Sequence, residues 1–195
     1  MGHRHPTRKP SAPNRADADE FRLAALLYVP KPMEPIVLFG IQFTFSLAAY
    51  ALGARWYLAP RLSQLPREVA LVPLIWIHAF RIVGGTILAP GAVEAAVPID
   101  FRTMIGIGDM ATASLALLAL IALRFRIRGA IALVWLFVAV GLLDTVNAII
   151  QSMRYSVFNF GLGVNWVIVT IYVPALLVSS VLIFIHLRRP GQSAG

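Results

Sequence analysis

The chain is 195 residues long, 58% hydrophobic and only 13% charged, where soluble domains of this size carry about 25% charged residues; a soluble fold cannot hide so much apolar surface, but a bilayer can. Its formal charge of +8 is almost wholly arginine, placed in tails and loops, so anionic lipid headgroups are the expected basic partner and nucleic acid is not. The absence of cysteine excludes disulfides, thiolate metal sites, iron–sulfur clusters and thiol catalysis.

Residues 1–32 are expected to form a disordered basic tail with a short interfacial segment. Pro6, Pro10 and Pro13 interrupt a polar, arginine-rich stretch, a composition that buries too little apolar surface to fold. The apolar patch from Leu23 to Val29 is too short to span, since a span needs about 20 residues. Pro30, Lys31 and Pro32 follow it where a small-residue cleavage site would stand, so the tail reads as uncleaved. His3 and His5 read as solvated tail residues, and no metal site is expected.

The region 33–189 reads as an all-α polytopic transmembrane bundle of five helices, followed by a short C-terminal tail over 190–195. The spans are expected at about 35–54, 69–89, 103–123, 129–150 and 164–187, each matched to a hydrocarbon core about 30 Å thick. Lipid admits only helices or closed barrels, and barrel strands would be shorter and alternate in polarity. Pro35 suits the first turn of span one. Pro60 and Pro66 are expected to punctuate the first loop, and Pro90, Gly91 and Pro98 the second. Trp56, Tyr57, Tyr155, Phe158 and Trp166 fall near span ends, as aromatic belts do,.

Arginine placement orients the spans. Arg55, Arg61 and Arg67, then Arg124, Arg126 and Arg128, then Arg188 and Arg189 fall on one side of a five-span chain. Glu34, Glu94 and Asp100 dilute the basic residues of the other side. The arginine-rich side is expected to be cytoplasmic, which puts the N-terminus outside.

Ionisable residues inside spans are functional candidates by default, because the bilayer penalises them. The chain has Arg81 in span two, Asp109 in span three and Asp144 in span four, with His78 one turn before Arg81,. At 1.5 Å per residue, Arg81, Asp109 and Asp144 lie roughly 18, 21 and 22 Å from the arginine-rich ends of their spans. Gln42 of span one lies at about 18 Å by the same count, and Thr170 and Tyr172 of span five fall close by. One polar layer is therefore expected. Gly84, Gly85, Gly106 and Gly108 leave room around it. Asp144, Asn147 and Gln151 form a polar stripe at i, i+3 and i+7, and Pro174 is placed to kink span five at that depth.

The candidate ligand or proton site is thus Arg81, Asp109, Asp144, His78, Gln42 and Asn147, with no catalytic residue assigned. Two carboxylates facing one arginine leave a surplus negative charge; one carboxyl then keeps its proton, or His78 gains one. A haem held by His78 and His186 fails on depth, because His78 lies about 14 Å along its span and His186 almost at the end of its own. His186 is expected to be an interfacial residue beside Arg188 and Arg189, and no cofactor is expected. Three readings remain open. The leading one is binding or translocation of a small solute or proton through the Arg/Asp layer, for which a homo-oligomer would suit so few spans. The second is a non-catalytic membrane assembly or partner-binding module, with the ion pairs as a lock. The third is an integral membrane enzyme using Asp109, Asp144 and His78 as acid–base groups.

The string His78-Ala-Phe-Arg81-Ile-Val-Gly84-Gly85, then Pro98, Gly106-Ile-Gly108-Asp109, Pro174 and His186 resembles the pattern of a group of small, uncharacterised bacterial multi-pass membrane proteins. The resemblance covers spans two to five and implies a bacterial cytoplasmic (inner) membrane protein. It carries no activity with it.

Overall fold

The computed structural model describes residues 33–189; the expected tails, 1–32 and 190–195, with His3 and His5, lie outside the described residues. Five helices are long and apolar enough to cross a membrane: α1 Pro35–Leu62, α2 Arg67–Leu88, α3 Ile99–Arg124, α4 Ala130–Arg154 and α5 Val164–Leu187. Together they form an all-helical transmembrane bundle. Pro35 occupies the first turn of α1, where its missing N–H costs no hydrogen bond.

Helix α3 is the centre of the bundle, packed along α2 on one side and α4 on the other. Helix α5 lies against α2 and touches α4, and α1 packs on α5 at the periphery. Large apolar side chains such as Phe45, Phe80 and Leu143 point outward, as helices bathed in lipid tails require.

Three departures from regular α-helix shape the molecule. The first corrects the expected loop at Pro60: α1 runs through it to Leu62. A π-helical turn at Ala54–Leu58 precedes the proline, and the Ala59 N–H reaches back to the Ala54 carbonyl. The proline then sits in the first turn of a renewed α-helical segment, Ala59–Leu62, where no donor is missed. Arg55 and Arg61 consequently lie on the last turns of α1. Helix α5 repeats the device, with a π-helical turn at Ile168–Tyr172 just before Pro174.

The third departure lies in α2, which is α-helical over Arg67–Ala79 and 3₁₀-helical over Phe80–Leu88. Nine residues is long for this geometry, whose runs are usually three or four. With three residues per turn, side chains at i, i+3 and i+6 line up. The buried residues of this stretch are Arg81, Gly84 and Ile87, a straight row along the inner face of α2.

The buried apolar residues form two clusters at opposite ends of the bundle. One contains Leu71 and Ile75 of α2, Ala116 and Ala119 of α3, Val134 and Phe137 of α4 and Ile183 of α5. The other contains Ile87, Val97, Phe101, Val157, Phe158 and Leu162, from the ends of α2 and α3 and the turns before α3 and α5. Between them lies the polar layer.

Candidate functional site

Arg81 ties three helices together. Its Nε donates to Asp109 Oδ1 of α3 at 2.7 Å, and one terminal nitrogen donates to Asp144 Oδ2 of α4 at 2.5 Å. The other terminal nitrogen donates to the Gly141 carbonyl at 3.3 Å and to Thr145 Oγ1 at 3.4 Å. A guanidinium offers five donors in a planar fork, and this geometry directs four of them at protein acceptors.

Close helix approach makes those contacts possible. Gly108 and Thr112 on α3 are four apart, as are Gly141 and Thr145 on α4. Each threonine hydroxyl donates back to its glycine's carbonyl, at 2.9 and 2.8 Å, so neither brings an unsatisfied polar group into the bundle. A Cβ on Gly141 would meet Thr112 Cγ2 at 3.0 Å. This is the small-xxx-small packing of membrane helices, and Arg81 reaches into it from α2.

A cavity of about 230 Å³ opens beside the ion pairs. Arg81, Asp109, Asp144 and Thr145 line its polar end, and Phe39, Phe43, Phe101 and Phe158 wall its apolar part. The row Arg81, Gly84 and Ile87 forms one side. The side chains of Asp109 and Asp144 are 17% and 13% exposed against 6% for Arg81, so the carboxylates face the open space more than the guanidinium does. On the other side of the layer the cluster around Leu71, Val134, Phe137 and Ile183 is packed apolar core.

Two connections hold the outer end together. The Glu94 backbone N–H donates to the Gly161 carbonyl at 2.7 Å, and the Gly161 N–H donates to Glu94 Oε2 at 2.8 Å. Gly163 follows with φ of +54°, and a Cβ there would lie 2.6 Å from the Ala92 carbonyl oxygen; only glycine accepts both conditions. The loop after α2 is thus clasped to the turn before α5, next to Phe158 and Leu162 of the cavity wall.

The structure brings together three of the six residues nominated from sequence: Arg81, Asp109 and Asp144. Gln42 lies elsewhere, its Oε1 accepting from Trp166 Nε1 at 2.7 Å. Asn147 is half-buried on α4 and lies outside the cavity lining. His78 is buried below the layer, its ring edge-on to Phe137 with centroids 5.0 Å apart. Among the described residues neither of its ring nitrogens has a hydrogen-bond partner. His186, expected at the interface, is buried, because α5 packs closely on α2 at that end.

Sequence reasoning missed Thr145, although the repeated Gly-x-x-x-Thr spacing was visible. Tyr172 and His186 were singled out separately, but their common polar edge on α5, where Asn165, Tyr172, Ser179 and His186 recur every seventh residue, was not. Asn165 Oδ1 accepts from Thr86 Oγ1 at 3.3 Å, Tyr172 donates to the Ile77 carbonyl, and Ser179 donates to the Leu74 carbonyl at 2.8 Å. A spacing of seven keeps one helix face toward its neighbour, so these groups form a polar seam between α5 and α2.

The site can therefore offer carboxylate oxygens, at the end of an apolar chamber, to a donor or a cation small enough to enter. No curated protein and no solved structure is matched by this chain. A family described as a domain of unknown function (DUF8737) matches residues 38–188, a stretch that takes in all five helices and every residue of the site. The chain belongs to that family.

Proposed function

We propose that this is a bacterial cytoplasmic-membrane protein that binds a small solute at the Arg81–Asp109–Asp144 group, with its N-terminus outside and its C-terminus in the cytoplasm. The observation that carries the reading is the chamber of about 230 Å³ beside the two carboxylates. A group that served only as a lock would be filled around with side chains, since protein interiors leave few voids larger than a water. Binding is favoured over free passage because packed apolar core lies on the other side of the layer. Translocation of the solute, or of a proton, would require that plug to part. The orientation rests on Arg124, Arg126, Arg128, Arg188 and Arg189 on one side and the acidic Glu34, Glu94 and Asp100 on the other,.

The test is ligand retention. Purified wild-type protein should carry a small molecule detectable by native mass spectrometry. Ala148→Phe, which adds a ring to the chamber from the α4 wall and leaves the three charged residues in place, should lose it. Equal spectra for the two proteins would count against a binding chamber.

One observation favours the second reading, a membrane assembly module. Between Pro35 and Gly53, α1 has no fully buried residue, and the face turned away from α5, with Ile41 and Phe45, is open to lipid or to another chain. A homo-oligomer in nanodiscs that dissociates when α1 is substituted on its exposed face would support assembly; a monomer at every protein-to-lipid ratio would oppose it.

A further inference from the structure

We infer that the solute is a small organic monocation, an alkyl- or arylammonium of roughly ten non-hydrogen atoms whose apolar body fills the chamber and whose ammonium group meets Asp109 and Asp144. The inference rests on the reading that the chamber binds a solute, and it names the class.

The accounting of donors and acceptors decides the sign of the ligand. Arg81 aims at Asp109 Oδ1, Asp144 Oδ2, the Gly141 carbonyl and Thr145 Oγ1, which leaves about one of its five N–H groups. The Thr145 hydroxyl hydrogen is given to the Gly141 carbonyl. Asn165, also on the wall, is engaged with Thr86 and the Ala92 carbonyl. The acceptor side is different. Two carboxylates offer about eight lone-pair positions, and Arg81 occupies two of them. Ser152, two turns along α4 from Asp144, adds one hydroxyl to the wall that can donate or accept,. At the polar end itself the free bonding capacity is mainly acceptor capacity, which suits an ammonium group with its three donors better than a carboxylate or phosphate.

Charge points the same way. Without a cation one carboxyl keeps its proton; with both ionised, one negative charge beyond the guanidinium's remains in a site of low dielectric. A monocation cancels it, an anion doubles the problem, and a neutral apolar guest removes water from the charge without replacing it. The walls suit the same guest. Phe39, Phe43, Phe101 and Phe158 line the chamber, and aromatic walls favour both an aromatic body and a cation beside it. Size follows from volume: a cavity of about 150 Å³ takes one benzene, so a chamber of about 230 Å³ holds a ring with a short aminoalkyl arm.

The test uses the full chain in nanodiscs of zwitterionic phosphatidylcholine, with empty nanodiscs to subtract partitioning into lipid. The probes are 2-phenylethylammonium, its neutral isostere propylbenzene and its anionic isostere 3-phenylpropionate, radiolabelled and measured at equilibrium. The ammonium should bind saturably at one site per chain, about tenfold or more tighter than either isostere, the scale of one hydrogen bond to a charged group. Asp109→Asn and Asp144→Asn should each weaken it by a similar factor, and Ala148→Phe should abolish it. Propylbenzene or phenylpropionate binding as tightly as the ammonium, and lost in Ala148→Phe, would overturn the cation class while leaving the chamber a binding site. Ammonium binding that survives Ala148→Phe would overturn both. Saturable binding of none of the three probes would overturn the ligand class, and retention of an unrelated molecule by the wild type alone would then preserve the chamber.

Discussion

The carboxylate of Asp109 lies against Gly84, in the space that a side chain at residue 84 would fill. The 3₁₀ geometry of α2 brings this about, because it stacks Gly84 directly above Arg81, whose Nε holds the same carboxylate. The glycine is thus part of how the ion pair is seated. Gly84→Ala should force Asp109 off Arg81 and lower stability by about 3 kcal/mol, the scale of overpacking combined with a broken buried pair. Gly40→Ala is the control, since a Cβ there meets nothing within 4 Å. Thermal unfolding in detergent should place Gly84→Ala well below both wild type and Gly40→Ala. Equal midpoints would mean that Asp109 can hold Arg81 from another position.

The clasp between Glu94 and Gly161 should govern the mobility of the chamber's outer end. Glu94→Ala removes the acceptor of the Gly161 N–H and keeps the backbone bond in the opposite direction. Losing one partly exposed hydrogen bond costs about 1 kcal/mol. The global stability should change little, because local opening and global unfolding are separate processes. Hydrogen–deuterium exchange should therefore rise in 89–98 and 155–163 alone. Unchanged exchange there would show that Gly163 and its neighbours hold the loops without Glu94.

Depth counting along ideal α-helices was enough to unite Arg81, Asp109 and Asp144, because charge in a membrane must find a partner and 1.5 Å per residue fixes where it can look. The same count failed for Gln42. Depth says nothing about azimuth, and α1 packs on α5 at the periphery, so the Gln42 side chain bonds Trp166 of α5 and stays clear of the ion pairs. It also gave no warning of the 3₁₀ stretch or the two π-helical turns, since backbone hydrogen-bond register is set by packing and by proline more than by composition. Pro60 illustrates this: read alone it ends a helix, but one extra residue in the preceding turn lets the helix continue to Leu62. The chamber was not legible either, because an empty volume depends on how the five helices that line it splay. The glycines that permit it were legible as small residues near charge.

The orientation can be tested cleanly because the chain has no cysteine of its own. Gln64→Cys and Arg126→Cys place single thiols in the turns after α1 and α3, and Ala96→Cys and Asn159→Cys place them before α3 and α5. If the arginine-rich side is cytoplasmic, an impermeant maleimide added to intact cells should label Ala96→Cys and Asn159→Cys. It should reach Gln64→Cys and Arg126→Cys only after permeabilisation. The reverse pattern would invert the protein and put the chamber's outer end on the cytoplasmic face. Labelling of all four in intact cells would contradict spanning helices.

Replacing the whole ionic group separates a lock from a site. Arg81→Ala alone leaves two carboxylates buried without their partner, and should cost about 3–5 kcal/mol, the usual consequence of removing one member of a buried pair. The triple variant Arg81→Met, Asp109→Leu, Asp144→Leu removes every charge and keeps comparable volume. Buried ion triads replaced in this way are often neutral or stabilising by about 1–4 kcal/mol, because the desolvation cost vanishes with the charges. Gly84 and Gly108 limit the benefit here, since Asp109 and Asp144 lie against them and leucine branches where the carboxylates are flat. The triple variant should still unfold well above the Arg81→Ala midpoint. Function should then decide the role of the group. A lock needs only the shape, so the triple variant would support whatever phenotype the wild type supports. A binding site needs the carboxylates, so the triple variant should fold, insert and fail to bind. Retained phenotype together with raised stability would show that the charges are not needed for function.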